Sequence, residues 1–248
     1  MLYLPHDQYI GRSLDVYGEF SEGECTLFAQ LLRPGDVTVE VGANLGALTV
    51  PLARMVGPEG RIMAFEPQRV LFQFLCANLV LNELFNVSTM HGAVGRSQGM
   101  ITVPRVDYRR PNNFGGLHLG GATGDQVPLY TLDGFDFPRI KLLKVDVEGM
   151  EAEVLAGARE TLRQHRPVLY VENDRRPNSP ALIRLVHDLG YRAWWHLPPL
   201  FAPDNFAGKP ENVFGGVVSI NLLCLPAEAT CSVTGLRPVS HPEDWWKE

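Results

Sequence analysis

Apolar residues along this chain fall into short β-branched or aliphatic runs separated by longer stretches of helical periodicity, and that alternation sets the expected architecture. Runs at 37–41, 61–66, 87–91, 141–147, 168–171, 191–195 and 217–225 read as strands. Between them, 44–55, 68–82, 150–165 and 179–189 read as helices, and 22–32 is a further helix stopped by Arg33-Pro34-Gly35-Asp36. Asn44 is placed to cap its helix, and Gly57-Pro58-Glu59-Gly60 is a turn. Strands alternating with helices require a mostly parallel sheet covered on both faces. Two intervals break the alternation. One, 95–138, holds short strands at 101–103 and 127–132 around a Gly-rich loop, 112–124; the other, 196–214, is rich in Pro and aromatic residues. Loops of that length are functional or mobile.

In such sheets ligands bind beyond the carboxyl ends of the strands. Glu40, Glu66, His91, Asp146 and Glu172 each stand at a predicted strand end, so topology should bring all five to one rim. The first strand leaves through Glu40-Val-Gly-Ala-Asn-Leu-Gly46, which departs from the dinucleotide fingerprint G-x-G-x-x-G. Asn44 stands where the middle glycine would let backbone approach a pyrophosphate. Gly42 permits the turn, and Gly46 lets the helix pack close to the sheet. Glu40 would repel phosphate and attract an ammonium group. Glu66, 20 residues beyond Gly46, can accept two hydrogen bonds from a ribose diol. A ligand with a ribose diol, an amino group and no phosphate is S-adenosylmethionine, whereas Asn44 opposes a nicotinamide oxidoreductase. The plainer reading of Glu40 and Glu66 is as solvated caps of strand ends.

Composition narrows the class without naming the substrate. The 248 residues can bury one sizeable core, with 45% hydrophobic and 20% charged residues, as in ordinary soluble proteins. They are read as a single domain, 1–248, made of an N-terminal cover segment (1–36), a cofactor-binding core (37–173) and a C-terminal half with an acceptor loop (174–248). A net charge of −6 and the absence of any Lys/Arg run argue against a nucleic-acid partner; Arg109-Arg110 and Arg175-Arg176 are pairs only. Cys25, Cys76, Cys224 and Cys231 have no zinc-like spacing. With no leader-like segment and no 18-residue apolar run, a cytoplasmic location is the expectation. Oligomeric state is left open.

The segment Lys144-Val-Asp-Val-Glu-Gly149 is the second landmark, because Asp146 and Glu148 emerge where a strand gives way to a helix. Helix N-terminal charge accounts for Glu151 and partly for Glu148. It accounts poorly for Asp146, since a buried strand-end carboxylate needs partners. With Glu40–Gly46, Phe65-Glu-Pro67, His91-Gly-Ala-Val-Gly95, Thr131-Leu-Asp133 and the 167–172 strand, this segment resembles the FkbM family of S-adenosylmethionine-dependent methyltransferases over about residues 36–173. The resemblance implies a class I methyltransferase fold, an α/β Rossmann-like architecture whose seven-stranded sheet has an antiparallel last strand. It places the methionine part of the cofactor at Glu40, Gly42 and Asn44, the ribose at Glu66, the adenine side at Gly92 and Ala93, and Asp146 between cofactor and acceptor. Ala43, Gly46, Thr49 and Pro67 complete the expected cofactor set.

Members of that family mostly methylate oxygen on sugars, glycolipids and polyketide-derived products, so resemblance specifies the reaction better than the acceptor. Removing a hydroxyl proton needs a base; Asp146 and Glu172 are the first candidates, His196 the third. Asp146 with Glu172 and Asn173 also resembles the oxygen-ligand set of magnesium-dependent O-methyltransferases, though Mg²⁺ is not favoured over a hydrogen-bonding role. The acceptor, a small molecule, glycan or peptide, is expected at the two irregular loops, against His118, Glu148, Asn173, Trp195, His196 and Asn205. One tryptophan of Trp194-Trp195 should alternate into the core. N-methylation of an amide or amine is the alternative reaction, and a non-catalytic cofactor-binding module the third reading.

Overall fold

The computed structural model describes residues 1–247. Its elements in chain order are α1 (Ile10–Tyr17), α2 (Glu22–Leu31), β1 (Val37–Val41), α3 (Thr49–Val56), β2 (Arg61–Glu66), α4 (Arg69–Leu81), β3 (Val87–His91), β4 (Ala93–Val94), β5 (Gly99–Val103) and β6 (Asp125–Tyr130). There follow β7 (Ile140–Val145), α5 (Glu151–Ala156), α6 (Arg159–His165), β8 (Val168–Glu172), α7 (Ser179–Asp188), β9 (Tyr191–His196), β10 (Asn221–Pro226) and β11 (Arg237–Pro238).

Eight strands form the main sheet, in the order β11-β9-β10-β8-β7-β1-β2-β3. Strands β3, β2, β1, β7 and β8 pair in parallel, while β10 runs antiparallel between β8 and β9. This is the mostly parallel sheet that the pattern predicts, with the antiparallel last strand that the family resemblance implies, extended by the two-residue edge strand β11. The interval 95–138 supplies β5 and β6, which join β4 in a separate three-stranded sheet of order β4-β6-β5. Strand order reverses between β1 and β7, and that switch point is where an open parallel sheet leaves a crevice.

Alternation along the central strands sends side chains into two cores. Val39, Val41, Leu143 and Val145 pack on one face with Trp195 and Leu222; Leu142, Tyr170 and Leu223 pack on the other with Phe28 of α2. On that second face Glu40 of β1 pairs in register with Lys144 of β7, and Lys144 with Tyr170 of β8. Two charged groups thus lie in a row otherwise built of apolar and aromatic side chains.

Several local expectations change. The helix expected over 44–55 begins only at Thr49, because Asn44 and Gly46 both adopt positive φ (52° and 90°). Asn44 therefore does not cap that helix; its Oδ1 accepts the Leu45 N–H instead. The helix expected over 150–165 breaks into α5 and α6 at Gly157, where a Cβ would come within 2.1 Å of the Gly95 carbonyl oxygen. Helix α1 was not legible as a separate element. Its Tyr17, fully buried, packs on Phe201 and Phe214 and so ties the N-terminal segment to the second irregular loop.

Candidate functional site

A cavity of about 310 Å³ opens at the switch point, within the range of small-ligand pockets. Its floor is the exit of β1. Gly42 (φ 89°) turns so close to β7 that a Cβ would sit 1.8 Å from the Asp146 carbonyl oxygen. Gly46 plays a different part: it abuts Leu75 of α4 and does not reach the cavity. Of the expected cofactor set, Glu40, Gly42, Ala43, Asn44, Glu66, Pro67, Gly92, Ala93 and Asp146 all line the space. Thr49 is fully buried beneath it and donates its hydroxyl to Glu40 Oε2 at 2.6 Å, so it orients an acid rather than meeting a ligand.

Glu66 shows how the acids are held. One oxygen accepts the Gln68 N–H at 2.7 Å and the other the Asn44 N–H at 2.9 Å. A carboxylate has about four lone-pair sites, so each oxygen keeps one for a ligand while the backbone fixes its direction. The carboxyls of Glu40 and Glu66 are pushed up to about 7, chiefly by burial; Lys144 and the Thr49 hydroxyl oppose this at Glu40, the Gln68 and Asn44 amides at Glu66. A buried carboxylate pair, one of them braced to receive two further donors, fits the amino and ribose groups of S-adenosylmethionine.

Beside this wall stand Asp146, Glu148 and Glu172, from the ends of β7 and β8. One carboxylate oxygen of each lies within 4.8 Å of the others. Asp146 accepts from Lys144 Nζ at 3.0 Å, and Glu148 from Arg175 Nη2 at 2.6 Å. Lys144 is buried; burial opposes its charge, but Asp146, Glu40 and Glu24 outweigh that and hold its pKa above the ordinary value. Glu172 forms no ion pair among the described residues, though the Arg175 charge is close enough to feel it. Its Oε2 is buried without a hydrogen-bond partner, and burial, then Asp146 and Glu148, push its carboxyl well above the ordinary range. Burial and Asp146 likewise push Glu148 up to about 7. Glu148 also takes a left-handed backbone (φ 58°), a conformation of the kind that gathers at functional sites.

This donor set fits a divalent cation poorly. Asn173, the expected third ligand, does not line the cavity, its Nδ2 donating to Ser179 Oγ at 2.8 Å, and two of the three grouped acids, Asp146 and Glu148, are already paired with Lys144 and Arg175.

The expected acceptor residues scatter. Glu148 lines the cavity. His118 lies at the rim, its Nδ1 2.9 Å from the Glu148 carbonyl oxygen. Trp195 is the tryptophan that alternates inward: it is 2% exposed and packs edge-on against Trp245. His196 closes β9 and bonds through Nδ1 to the Tyr170 hydroxyl at 2.8 Å, burial lowering its pKa; it does not line the cavity. Asn205 is buried in its own loop, bonded to Ala202 and Lys209. His91 stacks on Phe72, outside the cavity.

Other residues take their places. From the second loop Leu200 reaches the cavity, joined by residues 217–221 of the segment expected as the last strand; 217–220 precede β10 rather than forming its start. Over the cofactor side, Gln68 bonds the Phe114 carbonyl at 2.7 Å and pins loop 112–124, bringing Asn113, Gly115, Leu117 and Leu119 to the lining. Lys144 lies inside the motif that carried the resemblance, yet its alternation with Val145 gave no sign of its charge partners. Glu24 of α2 is 4% exposed and also faces the cavity. Its position in a first helical turn reads from sequence as dipole compensation alone.

With this geometry in place, comparison with known proteins is informative. The sequence profile described as "Methyltransferase FkbM domain" matches residues 40–193, more than half the chain. A methyltransferase of Sordaria araneosa, sdnD, is 29% identical over 234 residues, covering 77% of this chain and 86% of its own. The 31-O-demethyl-FK506 methyltransferase FkbM of Streptomyces tacrolimicus is 26% identical, with the same coverages. Among solved structures, Methyltransferase FkbM from Methylobacillus flagellatus superimposes with a TM-score of 0.52 at 17% identity over 82% of this chain, which spans half the length of that protein. A SAM-dependent O-methyltransferase from Thermotoga maritima has the same score at 15% identity, over 85% of this chain and 67% of its own.

Proposed function

This chain belongs to the FkbM family of methyltransferases, and from that premise we propose that it transfers the methyl group of S-adenosylmethionine to a hydroxyl oxygen of a small organic acceptor. The observation that carries the choice of oxygen is Glu172. Glu172 lines the cavity beside Asp146 and Glu148, and its Oε2 is buried without a partner among the described residues. A hydroxyl needs a base to take its proton as the new bond forms, and a base acts best when its pKa lies near the working pH. Burial and two acidic neighbours move Glu172 in that direction.

Bound S-adenosylmethionine would supply a methyl carbon activated by its sulfonium. The chain supplies alignment and proton transfer. Glu66 and Glu40 hold the ribose and amino ends; Gly42 lets that wall close on β7. Asp146, fixed by Lys144, lies between the two halves and orients the acceptor hydroxyl, whose proton passes to Glu172 Oε2. Leu200 and residues 217–220 form the acceptor's apolar side. A small organic acceptor rather than nucleic acid agrees with the acidic cavity and the net negative charge. The named relative that modifies an oxygen, the FK506 methyltransferase, supports the same choice.

The test replaces Glu172 by Gln. Calorimetry should show S-adenosylhomocysteine binding within about twofold of wild type, while kcat falls ~10²-fold or more. In wild type kcat should rise with pH along a limb lying above the ordinary glutamate range, and the variant should lose that limb. Supplying S-adenosylmethionine with a ¹³C methyl group identifies the product: a methoxy resonance supports the proposal, and an N-methyl resonance refutes it.

A further inference from the structure

Helix α2 contributes an acid to the cavity that neither the sequence pattern nor the family resemblance singles out. Phe28 packs edge-on against Tyr170 with ring centroids 4.9 Å apart. Glu24 lies one helical turn earlier on the same face of α2, over the row formed by Glu40, Lys144 and Tyr170 in register. Its Oε1 accepts the Ser21 hydroxyl at 2.9 Å. Its Oε2 is buried with no hydrogen-bond partner among the described residues, and Glu24 is one of the residues that line the cavity.

An unpaired buried carboxylate oxygen is costly, and the neighbouring Lys144 attracts the Glu24 carboxyl without bonding to it. The Lys144 ammonium lies 3.0 Å from Asp146 and 4.0 Å from Glu40. Three acids, Glu24, Glu40 and Asp146, therefore share one lysine at this end of the cavity. What the cluster lacks is a compact cation with several donors, and a primary ammonium carries three. A bare sulfonium matches less well, having no N–H to give.

We propose that Glu24 is a cofactor-binding residue, accepting through Oε2 a hydrogen bond from the α-ammonium of the methionine moiety while Glu40 accepts another. The inference rests on the S-adenosylmethionine reading above and extends it: the cofactor pocket is completed by the N-terminal segment, so α2 is a wall of the binding site and not only its cover.

The experiment compares two probes by calorimetry, S-adenosylhomocysteine and the analogue in which hydrogen replaces the α-amino group. Glu24→Gln should weaken S-adenosylhomocysteine about 10- to 100-fold, the range for a hydrogen bond between charged groups, and should change affinity for the amino-free analogue less than twofold. Glu24→Asp, which keeps the charge but shortens its reach, should show the same selectivity. Unfolding of the ligand-free variants checks that both fold; removing a buried charge should leave Glu24→Gln at least as stable as wild type. Equal losses on both probes, or none on either, overturn the assignment of Glu24 and leave the cofactor reading standing. Failure of the wild-type protein to bind S-adenosylhomocysteine overturns both.

Discussion

Replacing Gly42 by Ala tests whether the close approach of β1 and β7 builds the site. Two terms act at that position. The first is conformational: φ is 89°, where an L side chain costs about 1–2 kcal/mol. The second is steric, because the new Cβ would begin 1.8 Å from the Asp146 carbonyl oxygen and must retreat to at least 3.0 Å. That oxygen cannot move freely, since the Asp146 N–H is bonded to the Val41 carbonyl at 3.0 Å across the same two strands. Overpacking of this kind adds about 1–3 kcal/mol. Gly35→Ala isolates the first term: its φ is 91°, and a Cβ there meets nothing within 4 Å. Denaturant unfolding should therefore show a loss of about 1–2 kcal/mol for Gly35→Ala and about 2–5 kcal/mol for Gly42→Ala. Because the shift displaces Asp146 by about 1 Å, methyl transfer should fall ~10²-fold in Gly42→Ala alone. Equal stability losses in the two variants, with activity retained in both, would refute the steric argument.

Two further outcomes follow from charge. Burial holds Glu24, Glu40 and Glu66 up at about 7 in the folded protein, above the 4.5 of a free glutamate. The native state thus keeps protons the unfolded chain has released, and stability should decline as pH rises from about 4.5 to about 7 and then level off. Asp107 and Glu228, held down to about 2 by hydrogen bonds from Arg109 and Arg166, act in the opposite sense but only below the ordinary carboxylate range. Melts of ligand-free protein should give a higher Tm at pH 6 than at pH 8, with S-adenosylhomocysteine narrowing the gap; a Tm climbing across that interval contradicts the burial of these acids. Separately, because Lys144 and Arg175 already pair with Asp146 and Glu148, methyl transfer should survive exhaustive EDTA treatment. Activity lost to EDTA and restored by Mg²⁺ alone would show that a metal displaces those cations.

The strands that carry the site were legible because β-branched runs such as 37–41 and 61–66 bounded by turns have few alternatives, and because a parallel sheet sends every strand's carboxyl end to one rim. Glu40, Glu66, Asp146 and Glu172 could be assembled on that ground alone. Sequence also located Gly42, since the turn it makes follows its strand directly. What it could not determine depends on contacts between distant segments. Trp195 and His196 alternate along β9 like candidates for either face, and only the packing of Trp245 and Tyr170 decides where each points. The break at Gly157 exists because Gly95, 62 positions earlier, presses its carbonyl against it. Glu24 and Lys144 show the same limit most sharply. On an isolated helix or strand each looks like a solvated charge, and local pattern has no term for what covers it. The docking of Phe28 on Tyr170 closes α2 over the sheet, and burial then turns two ordinary charges into opposite poles of one site.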